Sequence, residues 1–283
     1  MSLAAILLLT AACTDELNDC PADTGRAISF TPVAETRAAV EGSALPSGSS
    51  FSVWGWYGTG NEINKNVFNN ITVTESGGTW GYTGGTQYWI PGMTYNFYGV
   101  YPAGYGSCTN SGVITVEDFD CSNAVDLMTA THTRTYDGTN ADAVNMQFKH
   151  ELARVKVSVE SNGATVDGLK VYGVGYKGNF NSGSTLKWTE IVTAAEESTL
   201  LSGKTAQDML LLPATDLTNA KLEVTYHYGS ESATRTDEAS LAIAGGWAAG
   251  QQYHYKVSIV AGKLTITVTV VDWNEEDTSV SWG

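Results

Sequence analysis

Positive charge is scarce in this sequence, and that scarcity restricts the partners of the protein. Only 15 Lys and Arg stand against 30 Asp and Glu, which gives a formal net charge of −15, and only 16% of the 283 residues are charged. Nucleic acid is bound through clustered Lys and Arg, whereas the bases here are scattered without a basic stripe. Adsorption to an anionic membrane by charge alone is excluded for the same reason. The acidic balance is typical of a solvated, exported surface.

Motifs for catalysis and for metal binding are also missing. The 4 Cys include no C-x-x-C, which argues against structural zinc, and no Gly-x-Ser-x-Gly elbow is present to supply a nucleophile. The 4 His, at positions 132, 150, 227 and 254, include no i, i+4 pair on a helix. We therefore predict that the protein is not an enzyme and that it holds no cofactor and no metal.

Two stretches come near to ligand-binding loops without matching them. "GVGYKG" (173–178) is a literal G-x-G-x-x-G, but no helical pattern follows it to hold a pyrophosphate. We predict a glycine-rich strand end or bulge there. "DGTNAD" (137–142) offers oxygen ligands from Asp137, Asn140 and Asp142. Because it lacks the spacing and the distal glutamate of a calcium loop, a turn built on Asp-Gly is the better interpretation.

The apolar run near the start of the sequence is short. Residues 3–9 are apolar and are followed by small residues and then by Cys13, which is typical of a secretory signal and far below the roughly 20 residues of a membrane span. A cysteine at the cleavage point resembles a bacterial lipobox, in which Cys13 would carry the lipid. Thr10 stands where leucine is usual, and no base precedes the run. A buried or disulfide-bonded Cys13 is the alternative.

The pairing of the remaining cysteines stays open. Cys108 and Cys121 flank the segment 109–120, and an oxidising envelope would permit a disulfide between them. Such a bridge would stabilise the fold by about 3 kcal/mol. Free thiols are the alternative, and Cys20 has no obvious partner.

Strand signals dominate the rest of the chain, which contains 30 Gly, 14 Tyr and 8 Trp. Val155, Val157 and Val159 alternate with polar residues, as in a half-buried strand. Short strands at spacings of roughly 8–12 residues predict sandwiches or barrels. Only 193–203 and 205–214 look briefly helical. The length suits two domains of about 100–150 residues, and we place the boundary just before Phe148.

Aromatic residues crowd the first half of the chain. They are Trp54, Trp56, Tyr57, Trp80, Tyr82, Tyr88, Trp89, Tyr95, Tyr98, Tyr101 and Tyr105. Exposed on a sheet, such rings could stack on the apolar faces of sugars. The alternative is that they are core residues of alternating strands.

Seven segments, taken in their order along the chain, resemble the fimbrillins, the type V pilins and related surface lipoproteins of Bacteroidales. They are "FSVWGWY" (51–57), "QYWIPGMTYNFYGVYP" (87–102), "NAVDLMTATH" (123–132), "FKHELARVKVSVE" (148–160), "MLLLPATDL" (209–217), "GGWAAGQQYHYKVSI" (245–259) and "VTVVDW" (268–273). The resemblance implies an all-β fold of two tandem transthyretin-like, Greek-key type β-sandwich domains. It divides the chain into a signal peptide, lipobox and removable segment (1–37), an N-terminal domain (38–147) and a C-terminal domain (148–283).

The resemblance also implies a function, that of a structural pilin subunit exported as an outer-membrane lipoprotein and assembled into an adhesive filament on the cell surface. In the polymerising members, a trypsin-like protease cuts after an arginine near the N-terminus and releases the lipid anchor with the first strand. A C-terminal strand of another pilin subunit then fills the groove. Whether this chain would be a stalk or a tip subunit is left open.

Residues of this sequence match each part of that mechanism. Cleavage is expected between Arg37 and Ala38, with Arg26 as the second choice. The removable strand carries Ile28 and Phe30, and Pro32 keeps it from a central position in a sheet. The candidate donor strand is the alternating run near the C-terminus, whose apolar members are Leu264, Ile266, Val268 and Val270. The alternative function is a non-polymerising surface lipoprotein that binds glycan or host protein through its aromatic N-terminal half.

We expect Cys13 to be acylated, because stable anchoring by lipid needs more than one acyl chain and a diacylated cysteine supplies them. Metabolic labelling with a radiolabelled fatty acid should mark the wild-type protein, and Cys13→Ala should lose the label. Cys20→Ala is the matched control and should keep it. Equal labelling of the Cys13→Ala protein would contradict the assignment.

Overall fold

The computed structural model describes residues 26–34, 45–196, 207–229, 233–260 and 263–272. Within these ranges the chain forms eighteen strands and no helix, so the all-β prediction is confirmed. It follows that none of these residues belongs to a helix that could cross a membrane.

The strands follow one another closely, as the spacing of the turn residues predicts. In the first half they are β1 (Phe30–Ala34), β2 (Ser50–Thr59), β3 (Glu62–Ser76), β4 (Thr79–Tyr82), β5 (Thr94–Tyr101), β6 (Ser107–Cys108), β7 (Ile114–Asp120), β8 (Met128–Thr135) and β9 (Val144–His150). In the second half they are β10 (Ala153–Glu160), β11 (Ala164–Tyr172), β12 (Gly175–Asn181), β13 (Trp188–Thr193), β14 (Gln207–Leu211), β15 (Lys221–Tyr228), β16 (Arg235–Ser240), β17 (Gln251–Val260) and β18 (Lys263–Asp272).

Seven strands of the first half form one sheet in the order β1-β9-β8-β5-β2-β3-β4. One face of this sheet packs into a first core, which includes Phe51, Phe97 and Phe148, all fully buried. The two edges of the sheet approach each other, because the hydroxyl of Tyr82 on β4 donates to the carbonyl of Ile28 just before β1, at 3.0 Å. The sheet therefore curls around its own core.

The second half contains a sandwich of two sheets. One has the order β14-β10-β17-β18 and the other β11-β15-β16. Val155 and Val157 of β10 pack into a second core together with Leu222, Val224 and Tyr255 from the facing strands and β17. The alternation predicted for β10 is confirmed, since Val155 and Val157 are fully buried and Val159 packs against the same core.

A fourth sheet joins the two halves. Its order is β13-β12-β7-β6, so β12 of the second half pairs with β7 of the first. A third core lies against it and includes Phe119 from the first half with Phe180 and Trp188 from the second. "GVGYKG" runs into β12, whose pairing with β13 shifts register between Gly175 and Lys177. The predicted glycine-rich bulge is confirmed.

A buried polar group ties the junction together. The carboxylate of Glu151, 4% exposed, accepts a hydrogen bond from the hydroxyl of Thr129 at 2.7 Å and pairs with the ammonium of Lys187 at 2.9 Å. Its backbone carbonyl accepts from the indole N–H of Trp188 at 3.0 Å. Because a buried carboxylate is costly unless it is paired, these contacts hold the start of β13 against the end of β9.

Two details of the sequence analysis need correction. The boundary predicted just before Phe148 falls inside β9, a strand of the first sheet, and Phe148 is fully buried in the first core. The chain leaves that sheet between His150 and Ala153, and the mixed sheet then links the halves. Residues 207–211, which look briefly helical, form β14 and pair antiparallel with β10. Pairing with a neighbouring strand outweighs the weak helix propensity there.

Because the halves share a sheet and a core, we expect them to unfold together. Phe180→Ala should destabilise the whole protein by about 3–5 kcal/mol, the usual cost of emptying a buried phenylalanine site. Leu186→Ala is the control, since Leu186 is 67% exposed and its loss should cost less than about 0.5 kcal/mol. Calorimetry should show one transition that shifts as a unit. Two transitions, of which Phe180→Ala moves only one, would refute shared folding.

Candidate functional site

The first strand lies at an edge and yet fills the first core. Among the described strands, β1 pairs with β9 alone, in parallel, from Phe30 beside Val144 to Ala34 beside Phe148. The side chains at positions 28, 30, 32 and 34 all point inward and are buried, whereas Ser29 and Thr31 are exposed. This is the period-2 alternation of a half-buried strand. We call the space that residues 28–34 occupy the β1 groove.

Phe30 is the main occupant of the β1 groove. Its ring is 3% exposed and makes edge contacts with four other rings. The centroid distances are 5.3 Å to Phe68, 5.6 Å to Phe97, 6.1 Å to Tyr82 and 6.3 Å to Phe51. Edge-to-face aromatic pairs of this kind contribute about 0.5–1.5 kcal/mol beyond the burial of their area. Phe30 therefore stabilises the core from a strand at its margin.

The backbone ahead of β1 is held on two sides. The amide of Ile28 donates to the carbonyl of Gln87 at 2.8 Å, and the amide of Trp89 donates to the carbonyl of Arg26 at 3.2 Å. On the other side, the amide of Val144 donates to the carbonyl of Ser29 at 2.8 Å. Within β1 itself, Pro32 has no N–H, and its position at an edge is the one that its ring allows. The prediction of an edge position for Pro32 is confirmed.

Arg26 closes the groove at its upstream end. Its Nη1 donates to the hydroxyl of Tyr136 at 3.1 Å and to the carbonyl of Gly138 at 2.8 Å, and it also contacts the carbonyl of Thr139. We call these three oxygens the 136–139 cradle. The guanidinium is thus part-buried against a loop more than a hundred residues away in the sequence, and it ties the segment before β1 to the turn between β8 and β9.

Two of the three oxygens of the 136–139 cradle, those of Gly138 and Thr139, belong to "DGTNAD" (137–142), and the turn itself sets their positions. The Asp137 carboxylate accepts from the amide and the hydroxyl of Thr139, at 2.8 and 2.7 Å, and these bonds lower the pKa of Asp137. Gly138 has a φ of 90°, which favours glycine. The Asn140 side chain accepts from the amide of Asp142 at 2.8 Å. The predicted Asp-Gly turn is confirmed, and the side-chain oxygens of Asp137 and Asn140 accept hydrogen bonds within it.

The candidate donor strand, β18, is an edge strand of the sheet β14-β10-β17-β18. Within the part of the chain that the structure describes, it pairs only with β17, from Lys263 beside Val260 to Asp272 beside Gln251. Leu264 and Ile266 pack against the second core, whereas Val268 is 37% and Val270 48% exposed. An edge strand with exposed apolar side chains is a surface on which another strand can pair.

Several predicted site residues lie outside the described residues. They are the lipidation site Cys13, its neighbour Cys20, and the cleavage pair Arg37 and Ala38. β1 ends at Ala34, three positions before Arg37.

The disulfide considered between Cys108 and Cys121 is not formed, and both residues are free thiols. Cys121 is buried in the third core and its thiol donates to the carbonyl of Tyr176 at 3.1 Å, whereas that of Cys108 donates to the carbonyl of Thr109. Each thiol thus donates to a backbone carbonyl. Burial raises the pKa of each to about 12, so both stay protonated at neutral pH and are poor nucleophiles.

The histidines are structural where the structure describes their contacts. His150 and His227 bond to Asp126 and Asp167 at 2.7 and 2.6 Å, in different halves of the molecule. The Nε2 of His254 lies 2.8 Å from the Ser158 hydroxyl. Burial lowers the pKa of His132, so it is neutral at pH 7. These side chains are dispersed, and none shares a cleft with another.

Two further features of the described residues are a group of three carboxylates and a cavity. The carboxylates of Glu196, Glu223 and Glu238 come within 4.8 Å of one another, but Lys170 pairs with Glu223 at 2.8 Å and offsets part of their charge. A cavity of about 440 Å³ lies between the β12–β13 hairpin and the loops around Pro213 and Trp247. Its walls are mainly apolar.

Ten of the eleven aromatic residues of the first half belong to the first or third core or pack against it, as the second of the two interpretations predicted, and Tyr88 is half-buried. Trp54, Trp56, Trp89 and Tyr95 are buried. Tyr95, for example, stacks on Tyr57 with ring centroids 5.4 Å apart. The buried rings are therefore not available to a sugar.

The contact of Arg26 with Tyr136 is the part of the site that sequence reasoning missed. Arg26 entered the sequence analysis only as a second cleavage site. The alternation of Arg26, Ile28 and Phe30 along one face was visible in the sequence, but the partner of the guanidinium is 110 residues away. No local pattern could connect the two.

Comparisons with known proteins agree on one family and one fold. A sequence model of the family described as fimbrillin-like matches residues 36–273. A solved protein of Bacteroides ovatus, proposed to act in cell adhesion, is 21% identical, with a TM-score of 0.58 over 89% of this chain and 99% of its own. A similar protein of Bacteroides uniformis is 16% identical, with a TM-score of 0.57 over 89% and 99%.

A third solved structure carries a fimbrial description. It is a fimbrial protein of Bacteroides vulgatus, 15% identical, with a TM-score of 0.57 over 88% of this chain and all of its own. At these identities the likeness establishes the fold. A comparison with curated protein sequences finds no significant match.

The contacts of Phe30 make a prediction about the edge strand. Phe30→Ala should lower the free energy of opening β1 by about 3–5 kcal/mol, because it empties a site among four rings. Hydrogen exchange at the amides of residues 30–34 measures that opening. Thr31→Ala is the matched control, since Thr31 is on the same strand but exposed, and exchange should change little. Equal exchange in both variants would show that the Phe30 contacts do not hold the strand.

Proposed function

Since the chain belongs to the fimbrillin-like family, we propose that it is a pilin subunit of a surface filament that assembles by exchange of its first strand. The family and the fold mark it as a pilin-like, non-enzymatic protein of the cell surface. The observation that carries the finer proposal is β1, an edge strand whose inward side chains complete the first core.

Loss of β1 would leave the first core open. The ring contacts of Phe30 and the buried side chain of Ile28, 1% exposed, would be replaced by water, at about 25 cal/mol for each Å² of apolar surface. Backbone groups of β9 that now pair with β1 would lose their partners, which is costly unless another strand takes its place. An added strand supplies both the hydrogen bonds and the alternating side chains.

A cut after Arg37 would release β1 as one piece. The strand ends at Ala34, so cleavage at the Arg37–Ala38 bond by a trypsin-like protease separates all of it from the body of the fold. A cut after Arg26 would leave β1 in place. The guanidinium of Arg26 is also held in the 136–139 cradle, where a protease that recognises arginine would have to displace it. Both considerations favour Arg37.

The lipid fits the same sequence of events. With Cys13 lipidated, the uncut chain would be an outer-membrane lipoprotein, and the cut after Arg37 would discard the anchor together with Cys20 and β1. At the other end, β18 offers Leu264, Ile266, Val268 and Val270 as a donor strand for a further pilin subunit. A contact of this kind is head-to-tail and therefore produces filaments rather than closed rings. Host protein or glycan would be bound by the filament.

Cleavage after Arg37 should turn a monomer into a subunit that assembles. Limited trypsin treatment of the wild-type chain is expected to remove residues 1–37 and to produce oligomers in size-exclusion chromatography and filaments in electron microscopy. Arg37→Ala should block both the cut and the oligomers, because trypsin requires a basic residue before the bond. The uncut protein should stay monomeric, since its groove is full.

Arg37→Lys is the matched control, because lysine preserves the cleavage site, and this variant should assemble like the wild type. Cleavage after Arg37 that leaves a soluble monomer at high concentration would contradict polymerisation by this route. It would favour a capping tip subunit or a non-polymerising binding lipoprotein.

A further inference from the structure

A strand that replaces β1 meets the hydrogen-bond acceptors of the 136–139 cradle. We infer that the β1 groove selects a strand with a basic residue two positions before the first of its two large inward apolar side chains, and that this strand comes from a different kind of subunit. The inference rests on the proposed function, and it adds the identity of the partner. Its motif is the one that β1 itself provides, Arg26-x-Ile28-x-Phe30.

The oxygens of the cradle are held in place by the turn and not by Arg26. Asp137 caps Thr139 through two hydrogen bonds, at 2.8 and 2.7 Å. Downstream, Nη1 of Arg134 donates to the carbonyl of Asp142 at 2.8 Å. Each of these bonds lies within the segment 134–142, so none is lost when residues 26–34 leave. The cradle is a preformed acceptor site.

These oxygens accept hydrogen bonds and include backbone carbonyls that cannot donate. In the uncut chain Arg26 supplies the donor, and Tyr136, whose hydroxyl takes part, is fully buried. A replacement strand without a basic residue at this position would lose the part-buried hydrogen bonds that Arg26 makes to the Tyr136 hydroxyl and the Gly138 carbonyl. A cationic donor is worth more than a neutral one, and Arg reaches several oxygens at once because its N–H groups are spread over a plane.

Spacing makes the demand specific. Arg26, Ile28 and Phe30 occupy alternate positions, so their side chains leave the strand on the same face. The cation must therefore lie two residues before the side chain that replaces Ile28. A cation one residue nearer would point to solvent, and a shift of the whole strand by one residue would turn the apolar side chains outward.

The candidate donor strand of this chain has no basic residue at the required position. Lys263 directly precedes Leu264, so it faces away from the apolar side of β18, and the position two before Leu264 is Gly262. Of the 15 Lys and Arg in the sequence, only Arg26 and Lys170 are followed by large apolar residues at the second and fourth positions. Lys170 is committed to β11, where its ammonium pairs with Glu223 at 2.8 Å.

A second copy of the chain could thus fill the apolar part of the groove through β18 but would leave the cradle empty. The preferred occupant is a strand of another subunit that carries the basic residue. Different subunits would then alternate or follow one another in a fixed order along the filament. β18 of this chain would be donated to a neighbour whose groove does not require a basic residue.

Peptide exchange tests the inference. The chain is cut after Arg37 with trypsin, the protease is inhibited, and fluorescent peptides are added while anisotropy is recorded. The peptides are residues 24–36, the same peptide with Arg26→Lys or Arg26→Gln, and residues 262–272 from β18. The native peptide should bind most tightly, and the lysine peptide within a few-fold of it. The glutamine and β18 peptides should bind about 10- to 100-fold more weakly, the usual effect of losing a charged hydrogen bond.

A substitution in the cradle distinguishes its contribution to peptide binding from that of the rest of the groove. Tyr136→Phe removes one acceptor and should reduce the advantage of arginine over glutamine, while the affinity of the glutamine peptide stays the same. A peptide with Thr31→Gln, altered at an exposed position, is the control and should bind like the native one.

The possible failures are distinguishable. Equal affinity of the arginine and glutamine peptides, with the native peptide bound, would overturn the cradle as a selector and leave strand exchange standing. Tighter binding of the β18 peptide than of the native one would overturn the assignment to a different subunit. If no peptide enters the groove, strand exchange itself fails and the inference fails with it.

Discussion

The first half of the molecule depends on the pairing of β1 with β9. The buried side chains of residues 28–34 complete a core whose other residues come from β2, β3, β5, β8 and β9, yet β1 has a ladder on one side only. A parallel ladder is also slightly less stable per residue than an antiparallel one. The strand is therefore held mainly by what it buries. Such a strand is essential to the core and still separable from the sheet, since β9 is its one ladder partner among the described strands.

The remaining strands of the fold stay paired with one another when β1 is left out. β2 is buried on both faces, with Phe51 and Val53 in the first core and Trp54 and Trp56 in the third. The third core continues into the second half through Phe180 of β12. The two halves are thus connected by continuous packing through β2 and the third core rather than by a flexible linker.

Strand content and local facing could be predicted because they follow from the period of two. The alternation of Val155 and Val157 and the edge position of Pro32 are examples. The domain boundary near Phe148 could not be predicted correctly. β9 and β10 both alternate, and no turn signal between them indicates that they belong to different sheets. Trp54 and Trp56 were candidates for a sugar-binding face, because alternate positions of a strand share one face. In the structure that face is covered by the third core, which includes residues of the second half. Contacts distant in sequence, such as Arg26 with Tyr136, were invisible.

The edge strands β1 and β18 differ in a way that bears on assembly. β18 presents Val268 and Val270 to solvent, and an exposed apolar edge tends to pair with any available strand. If every groove accepted every such edge, the cut subunits would aggregate without order. A polar cradle at the end of an apolar groove adds a condition that apolar burial alone cannot impose, because a strand without a basic residue would lose the charged hydrogen bonds to the cradle oxygens. The apolar contacts of Phe30 would then provide the affinity, and the oxygens around Arg26 the choice of partner.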